Sequence, residues 1–396
     1  MELPPPLHKA SWLTAVWINV PRFRLSRVAT VARSSRMDSS KGKPMTVHYL
    51  VAGLGQKPNG GLRIIYEQAR RLAERGHRVE LHHFERFPSD RIRKIPRNVW
   101  NFLSAMRAGP PHWINLPDSV VRHYHLVARM PIVKPGDKVV ATYWKTHELI
   151  EADWHNDVDY FYLIQGFETW IAGEALLHRQ WRAPSTNLVV SKHLERMVKD
   201  VSGNAILIPN AVDFDFFAET GTRRSDSTIL FCSMASANKG SRDIVEALEL
   251  LHQSGCKFDI RSFGDTHPAK FGLSLQCEHF QLPSQTVIRD LYHSASLFVS
   301  ASYSEGWGLT LAEATLCGCA LLVSDADGHF EFLRPGRSAL FFRRGQTQTI
   351  ARKAKFLLDR PALRSRLNRN ARIDLSPYTW ERSIDLLERA LGIADH

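Results

Sequence analysis

Residues 46–84 alternate between strand and helix patterns around a glycine-rich loop, and this alternation limits the folds open to the chain. Thr46–Ala52 is an apolar run of strand length, and the glycines of residues 53–61 form a loop after it. Leu62–Arg75 has apolar residues at helical spacing, and Arg78–Phe84 has the pattern of a second strand. Parallel strands joined through such a helix need right-handed crossovers, which predicts a doubly wound α/β sheet.

The same alternation returns after a polar, turn-rich stretch near residue 213, so the sequence predicts two α/β domains. The chain has 396 residues, which suits two domains at about 100–200 residues each. We expect a basic, disordered extension at residues 1–44, a Rossmann-like domain at 45–212, a second at 213–377 and a last helix at 378–396. Two such domains that face each other leave a cleft at the carboxyl ends of their strands.

The chain carries an excess of positive charge, with a formal net charge of +12 at pH 7. Such an excess favours anionic partners, namely nucleic acid, an acidic membrane surface or phosphorylated ligands. The basic residues show no recognition-helix or stacking pattern, so we expect no nucleic-acid partner. No stretch reaches the ~20 apolar residues of a membrane-spanning helix, and residues 11–20 lack the pattern of a signal peptide. We therefore expect a cytoplasmic protein.

The basic N-terminal half also suggests a peripheral contact with the inner membrane face. The residues behind this hypothesis are Arg63, Arg70, Arg71, Arg75, Arg91, Arg93, Lys94 and Arg97. The five cysteines form neither a disulfide framework nor a zinc-binding spacing. We expect Cys317 and Cys319, the closest pair, to be packing residues.

The strongest candidate for a chemical site is the segment from Ser304 to Glu313, with the sequence SEGWGLTLAE. A glycine-rich turn opens a helix there, and the backbone N–H groups of a helix start suit a phosphate. Glu305 lies in the turn and Glu313 about one turn inside the helix, so both carboxylates can face one cleft. Carboxylates accept strong hydrogen bonds from hydroxyl groups. The pattern alone leaves open a solvated loop glutamate beside a helix-surface glutamate.

This segment resembles the E-x7-E signature of family-4 (group 1) retaining glycosyltransferases. Similar motifs surround it in the expected order, with PNAVD at 209–213, FGD at 263–265, DGHFE at 327–331 and YTWE at 378–381. The resemblance covers roughly residues 45–393. It implies the GT-B fold, in which two Rossmann-like, doubly wound domains face a cleft and a C-terminal helix crosses back onto the N-terminal domain.

The resemblance also implies a nucleotide-sugar donor, which is a substrate and not a cofactor. Glu313 would bind the ribose hydroxyls, Glu305 would contact the donor sugar, and Lys239 would neutralise the diphosphate as the leaving group gains charge. The expected donor-binding residues are Gly60, Gly61, Lys239, Gly264, Glu305, Gly306, Gly308, Leu309 and Glu313. No D-x-D-like cluster stands out at the expected cleft, so we expect metal-independent chemistry without metal ligands or a cofactor.

The sequence departs from the family pattern at two positions of the expected site. The usual Arg before the Lys is absent from Phe231–Ala235, and Arg242 is a candidate replacement. Gln165 stands where many relatives have a His, and the stretch Gln165–Glu168 resembles a polysaccharide-building subgroup that includes rhamnosyltransferases. Gln165 could hydrogen-bond a sugar or phosphate, and Glu168 could contact acceptor or donor. With Glu305 and Lys239 they complete the predicted catalytic set.

Three histidines of the N-terminal half are alternative candidates for the role of the missing His, and each is expected to be structural. They are His82, His83 and His147.

These observations predict a retaining hexosyltransferase that moves a sugar from a nucleotide-sugar to a glycan or lipid-linked glycan acceptor, in cell-surface polysaccharide synthesis. A sugar-nucleotide epimerase or a phosphorylase on the same fold remains open, because a fold does not fix a function. The absent Arg and His also leave open a non-catalytic nucleotide-sugar-binding scaffold of glycan assembly. Product analysis separates the enzymes, and weak nucleotide binding would favour the scaffold.

Overall fold

The computed structural model describes residues 45–90, 94–109, 113–218 and 224–394. The extension predicted for residues 1–44 lies outside the described residues. The described residues form one compact unit. The boundaries predicted after residues 212 and 377 stay predictions, since the described halves pack into a shared core.

The N-terminal half contains a parallel seven-stranded sheet with the strand order 3-2-1-4-5-6-7. Its strands are β1 (Thr46–Ala52), β2 (Arg78–Arg86), β3 (Val120–Val127), β4 (Lys138–Ala141), β5 (Asp159–Ile164), β6 (Thr186–Val189) and β7 (Ile206–Leu207). Its helices are α1 (Gly60–Glu74), α2 (Ile95–Ala108), α3 (Trp144–Ala152), α4 (Thr169–Ala172), α5 (Glu174–Trp181) and α6 (Lys192–Ser202). The strand order reverses between β1 and β4, as in a doubly wound sheet.

The C-terminal half repeats this plan with a parallel six-stranded sheet in the order 10-9-8-11-12-13. Its strands are β8 (Thr228–Cys232), β9 (Asp259–Gly264), β10 (Glu278–Gln281), β11 (Leu297–Ser300), β12 (Ala320–Ser324) and β13 (Leu340–Phe342). Its helices are α7 (Ser241–Gln253), α8 (Gln285–Ser294), α9 (Leu309–Leu316), α10 (Thr347–Leu358), α11 (Pro361–Leu375) and α12 (Trp380–Leu391). The predicted pair of doubly wound Rossmann-like sheets is confirmed.

Central strands are buried on both faces, as their apolar sequences require. Every residue of β4 and of β12 is buried. A continuous cluster of buried apolar side chains includes Leu163 of the first sheet, Leu321 of the second and Trp307 between them. The two walls of the cleft are therefore held together by packing.

The C-terminal helix crosses back onto the N-terminal half, as predicted. The guanidinium of Arg71 lies 4.8 Å from the ring centroid of Trp380 in α12. The guanidinium of Arg75 and the imidazole of His77 both contact the carboxylate of Glu388, at 2.6 and 2.8 Å. These contacts join the end of α1 to α12.

Two edge strands of the structure do not stand out as apolar runs in the sequence. Both β3 (VVRHYHLV) and β10 (EHFQ) are edge strands and are only partly buried. Their alternating polar residues conceal them from a search for apolar runs. Within the described part of the chain, no helix is long and apolar enough to cross a membrane.

Candidate active site between the two sheets

The loops that carry the predicted chemistry leave the sheets where the strand order reverses. The chain leaves β8 into the turn that contains Lys239, and it leaves the neighbouring β11 into the turn that contains Glu305. Gly60 and Gly61 follow β1, a strand at the reversal point of the other sheet. Crevices at such reversal points bind ligands in open α/β sheets, because neighbouring loops diverge there.

A cavity of about 430 Å³ lies between these loops. All of the expected donor-binding residues line it, together with Gln165 from the end of β5. Arg63, Asn59, Asn210, Cys232 and Met234 also line it, and the sequence did not single them out as donor-site residues. The structure therefore brings the predicted donor-site residues together, and their binding roles stay predictions.

Lys239 and Glu305 form an ion pair at the floor of this cavity. The ammonium Nζ lies 2.6 Å from Glu305 Oε1, and the hydroxyl of Ser302 donates to the same oxygen at 2.8 Å. Burial opposes ionisation of Glu305, but the Lys239 charge outweighs it and lowers the pKa of Glu305 below its usual value. The same pairing raises the pKa of Lys239 against the effect of burial. Both side chains are therefore charged at neutral pH.

The glycines of the EGWG turn permit a close approach between the two halves. A Cβ on Gly306 would collide with the backbone carbonyl of Gln165, so only glycine fits where the turn meets the end of β5. Gly308 has a φ of 102° and stands directly before α9, a conformation that glycine adopts without strain. In the described residues, no side chain caps the amides of the first turn of α9. These amides and the helix dipole suit an anionic group.

Glu313 lies deeper in the cavity and is only 4% exposed. The guanidinium of Arg63, in the first turn of α1, pairs with Oε1 of Glu313, and the hydroxyl of Tyr292 donates to Oε2 at 3.2 Å. Burial raises the pKa of Glu313, and Arg63 and Tyr292 oppose this rise. A carboxylate from one half and a guanidinium from the other thus meet across the cleft.

A second cavity, of about 420 Å³, opens on the N-terminal side and shares Asn59, Gly61 and Gln165 with the first. Glu168 lines this second cavity, beside Tyr143 and Tyr162. Burial raises the pKa of Glu168 to about 7. The structure therefore separates the predicted catalytic set into three members in the first cavity and Glu168 in the adjoining one.

Arg242 does not take the place of the missing Arg in the structure. Its side chain is exposed, and it does not belong to the residues that line the cavity. Among the described residues that line the cavity, Arg63 supplies the guanidinium, and its position four residues after Asn59, the N-cap of α1, is the sequence signal for it. The sequence assigned Arg63 to a membrane-facing basic surface, and its place in the cleft corrects that assignment.

Other members of that basic set are engaged with acidic partners. Arg70 pairs with Glu67 and Glu74, and Arg75 pairs with Asp385 and Glu388. Arg91 and Arg93 lie outside the described residues. These α1 arginines are thus engaged within the fold, and Lys94 and Arg97 are exposed members of the set that could meet a membrane surface.

Two of the three alternative histidines are held by contacts inside the N-terminal half. His83 is buried between the hydroxyl of Tyr66, at 2.9 Å, and the carbonyl of Gly53, at 2.9 Å. His147 is buried, and its Nε2 lies 2.9 Å from the hydroxyl oxygen of Ser185. Neither lines the two cavities described above. His82 belongs to a cluster near the start of the first sheet.

Comparison with known proteins assigns the second half of the chain. The family of glycosyl transferases group 1 matches residues 213–374. Over 153 residues the chain is 27% identical to the N,N'-diacetylbacillosaminyl-diphospho-undecaprenol alpha-1,3-N-acetylgalactosaminyltransferase of Campylobacter jejuni, covering 38% of this chain and 40% of that protein. Over 209 residues it is 27% identical to the GDP-mannose:cellobiosyl-diphosphopolyprenol alpha-mannosyltransferase of Xanthomonas campestris, covering 47% and 53%. The alignments span about half of these relatives.

Solved structures resemble the whole described fold. Sucrose-phosphate synthase from Thermosynechococcus elongatus superposes with a TM-score of 0.68 at 15% identity, covering 89% of this chain and all of that one. The Anabaena protein HepE, in complex with UDP and glucose, superposes with a TM-score of 0.66 at 14% identity, covering 88% of this chain and all of that one. At this identity the likeness shows the fold alone.

The protein therefore has the α/β GT-B fold, with two parallel sheets around a cleft. Within that class, residues 213–374 match the glycosyl transferases group 1 family. Both predictions are confirmed, and the rhamnosyltransferase-like subgroup stays a prediction.

Proposed function

We propose that this protein is a retaining glycosyltransferase that moves a sugar from a nucleotide-sugar to a glycan or lipid-linked glycan acceptor in cell-surface polysaccharide synthesis. The observation that carries this proposal is the Lys239–Glu305 ion pair beside the uncapped start of α9, in a cavity between the two sheets. A cation and a helix start without a side-chain cap suit a diphosphate, and the paired carboxylate suits the hydroxyls of a sugar.

The donor would lie along the C-terminal wall of the cleft. Glu313 accepts hydrogen bonds from the ribose hydroxyls, and Lys239 and the first amides of α9 hold the diphosphate. As the glycosidic bond to the donor phosphate breaks, negative charge grows on the leaving phosphate, and fixed positive groups stabilise that charge. Lys is suited to this task because its ammonium is a compact point charge.

The acceptor would enter from the second cavity, on the N-terminal side. Gln165 belongs to both cavities, so it can orient the reacting sugar between donor and acceptor. The leaving phosphate takes the acceptor's proton on the same face of the sugar, which retains the anomeric configuration without a strong protein base. Glu168 positions an acceptor hydroxyl, and the enzyme's contribution is orientation and charge stabilisation. The proposed reaction uses neither a metal ion nor a cofactor.

The names of two relatives support a lipid-linked acceptor. The Campylobacter relative is named for a diphospho-undecaprenol substrate and the Xanthomonas relative for a diphosphopolyprenol substrate. We propose that this protein is cytoplasmic and meets an acceptor of this class at the inner face of the membrane. Co-sedimentation with anionic vesicles should exceed that with neutral vesicles, and equal indifference to both would contradict the membrane contact.

A transfer assay tests the function directly. The purified protein is incubated with UDP-, GDP- and dTDP-activated hexoses and a polyprenyl-diphosphate-linked sugar, and the lipid product is analysed by mass spectrometry and anomeric NMR. One donor family should give a glycosylated lipid with the donor's anomeric configuration, and Arg242→Ala should match wild type. Free epimerised sugar nucleotide would instead identify an epimerase. Donor binding without any product would favour the scaffold.

A further inference from the structure

The first three strands of the N-terminal sheet bring a set of histidines and carboxylates together on one face. In the parallel register, His48 of β1 lies beside Glu80 of β2, and His82 of β2 lies beside His123 of β3. Side chains along a strand alternate between faces, so these four share one face of the sheet. The opposite face carries His83, which contacts α1 through Tyr66.

Three potential ligand atoms in this set surround a common point. His48 Nδ1 lies 3.1 Å from His82 Nε2, and each of these nitrogens lies 3.7 Å from Glu80 Oε2. Atoms with these separations share a point about 2.0 Å from each of them, which is the bond length of Zn²⁺ to imidazole nitrogen and carboxylate oxygen. Three nitrogen or oxygen atoms at this distance from one point are a common set of ligands for a protein-bound metal ion.

We propose that this cluster binds one divalent transition-metal ion of the zinc type through His48 Nδ1, Glu80 Oε2 and His82 Nε2. His123 stands at the partly exposed edge, with its Nε2 3.0 Å from the same carboxylate oxygen. It is the residue best placed to provide the fourth ligand of a tetrahedral site.

Hydrogen bonding alone accounts for the cluster less well than an ion does. The two 3.7 Å separations from Glu80 Oε2 are too long for hydrogen bonds. An ion at the common point would bind all three atoms and so account for all three distances.

The surroundings of the cluster are those of a metal site. His48 Nε2 lies 3.2 Å from Asp137 Oδ2, and Asp137 is itself fixed by the backbone amides of Thr46 and Lys134, at 2.9 and 2.8 Å. A carboxylate that accepts the outer N–H of a ligand histidine directs the other ring nitrogen toward the metal. Arg78 engages the other carboxylate oxygen, Glu80 Oε1, at 2.9 Å, so Oε2 is the oxygen that faces the histidines.

The proposed site is separate from the cleft. His48 stands four residues before Ala52, the last residue of β1, which is a distance of about 13 Å along a strand. The carboxyl end of β1 faces the cleft, and His48 lies near the opposite end of the strand. An ion here would tie β1, β2 and the edge strand β3 together, and it leaves the proposed metal-independent transfer unchanged.

Metal binding by the full chain, purified without a histidine tag and stripped with a chelator, tests the proposal. Zn²⁺ should bind at about one ion per chain, and Co²⁺ should bind at the same place and give the visible absorption bands of a tetrahedral site. His82→Asn and Glu80→Gln should remove the Co²⁺ bands, and Asp137→Asn should weaken Zn²⁺ affinity about 10–100-fold. His279→Asn is the matched control, because His279 pairs with His267 in the C-terminal half at 5.1 Å between ring centroids.

The wild-type protein keeps the proposal falsifiable if a variant fails to fold, which circular dichroism would reveal. If the wild-type chain shows no Co²⁺ absorption band and retains no Zn²⁺, the proposed metal site is wrong. Equal Zn²⁺ affinity of wild type and a folded His82→Asn variant would also overturn it. Loss of binding in His82→Asn with full binding in His279→Asn would support it.

Discussion

The two walls of the cleft are built differently. On the C-terminal wall, Lys239, Glu305 and the start of α9 belong to two neighbouring turns and hold one another through short hydrogen bonds. On the N-terminal wall, Arg63 comes from α1, whereas Gln165 and Glu168 come from the segment after β5, and Arg63 reaches across to a carboxylate of the other half. The residues of the C-terminal wall are therefore in place before any ligand binds. The residues of the N-terminal wall can differ more between proteins.

The charge states of three glutamates differ in the same way between the two walls. A lysine partner lowers the pKa of Glu305, whereas burial raises the pKa of Glu313 and brings that of Glu168 to about 7. Glu305 therefore stays ionised through the neutral range. The charge of Glu313 depends on Arg63 from the opposite wall, and that of Glu168 changes within the physiological range.

Removal of the fixed cation should have the largest effect. Lys239→Ala deletes the charge that stabilises the leaving phosphate, so kcat should fall about 10²–10³-fold. Steady-state transfer kinetics measure this loss, and Arg242→Ala, whose exposed side chain lies outside the cavity, should match wild type. Equal losses in the two variants would contradict a preorganised C-terminal wall.

Replacement of Glu313 should weaken donor binding. A hydrogen bond to a charged group is worth about 1.5–3 kcal/mol, so Glu313→Gln should raise the Kd of the nucleoside diphosphate about 10–100-fold. Isothermal titration calorimetry measures the change. An unchanged Kd would show that this buried carboxylate supports the fold instead of the ligand.

Arg63→Ala tests how strongly the two walls depend on each other. Without the guanidinium, burial should raise the pKa of Glu313 further, because Arg63 opposes that rise. A larger fraction of Glu313 is then protonated at neutral pH, so donor affinity should fall about tenfold and recover as pH rises. Calorimetric titrations of the donor at several pH values, with Arg242→Ala as the control, measure this change. A loss of donor affinity that does not depend on pH would contradict the coupling.

Glu168→Gln addresses the N-terminal wall alone. If ionised Glu168 accepts a hydrogen bond from the acceptor's hydroxyl group, kcat/KM for the acceptor should rise with pH through about 7, and the amide variant should lose this dependence.

The raised pKa of Glu168 also means that the folded chain binds this proton more tightly than the unfolded chain. Wild-type stability relative to the variant should therefore fall as pH rises toward about 7 and then level off. Parallel pH profiles of the two proteins would refute both statements.

The smallest effect is expected at the contact between α1 and α12. Arg75 lies about one third exposed and pairs with Asp385 and Glu388. Arg75→Ala should lower the free energy of unfolding by about 0.5–1 kcal/mol, because exposed ion pairs contribute little. Urea denaturation measures this, and kcat should stay unchanged. A large loss of activity would show that the helix crossing controls the cleft.

The same contrast explains what the sequence could predict. The central strands and the EGWG turn follow from local apolar runs, glycines and spacing, so both sheets and the C-terminal wall were predictable. The edge strands β3 and β10 lack apolar runs. The position of Arg63 opposite Glu313 results from the packing of residues 250 positions apart, which no local pattern encodes. The raised pKa of Glu168 likewise arises from burial that only the folded chain creates.

The most direct test of a preorganised donor site is calorimetric titration of UDP, GDP and dTDP into wild type, Lys239→Ala, Glu313→Gln and the control Arg242→Ala. The proposed function predicts that one nucleotide family binds the wild type and the control equally and binds the other two variants at least about tenfold more weakly, a difference of about 1.4 kcal/mol. Absence of binding by a cooperatively folded wild type, or equal binding by all four proteins, would contradict it.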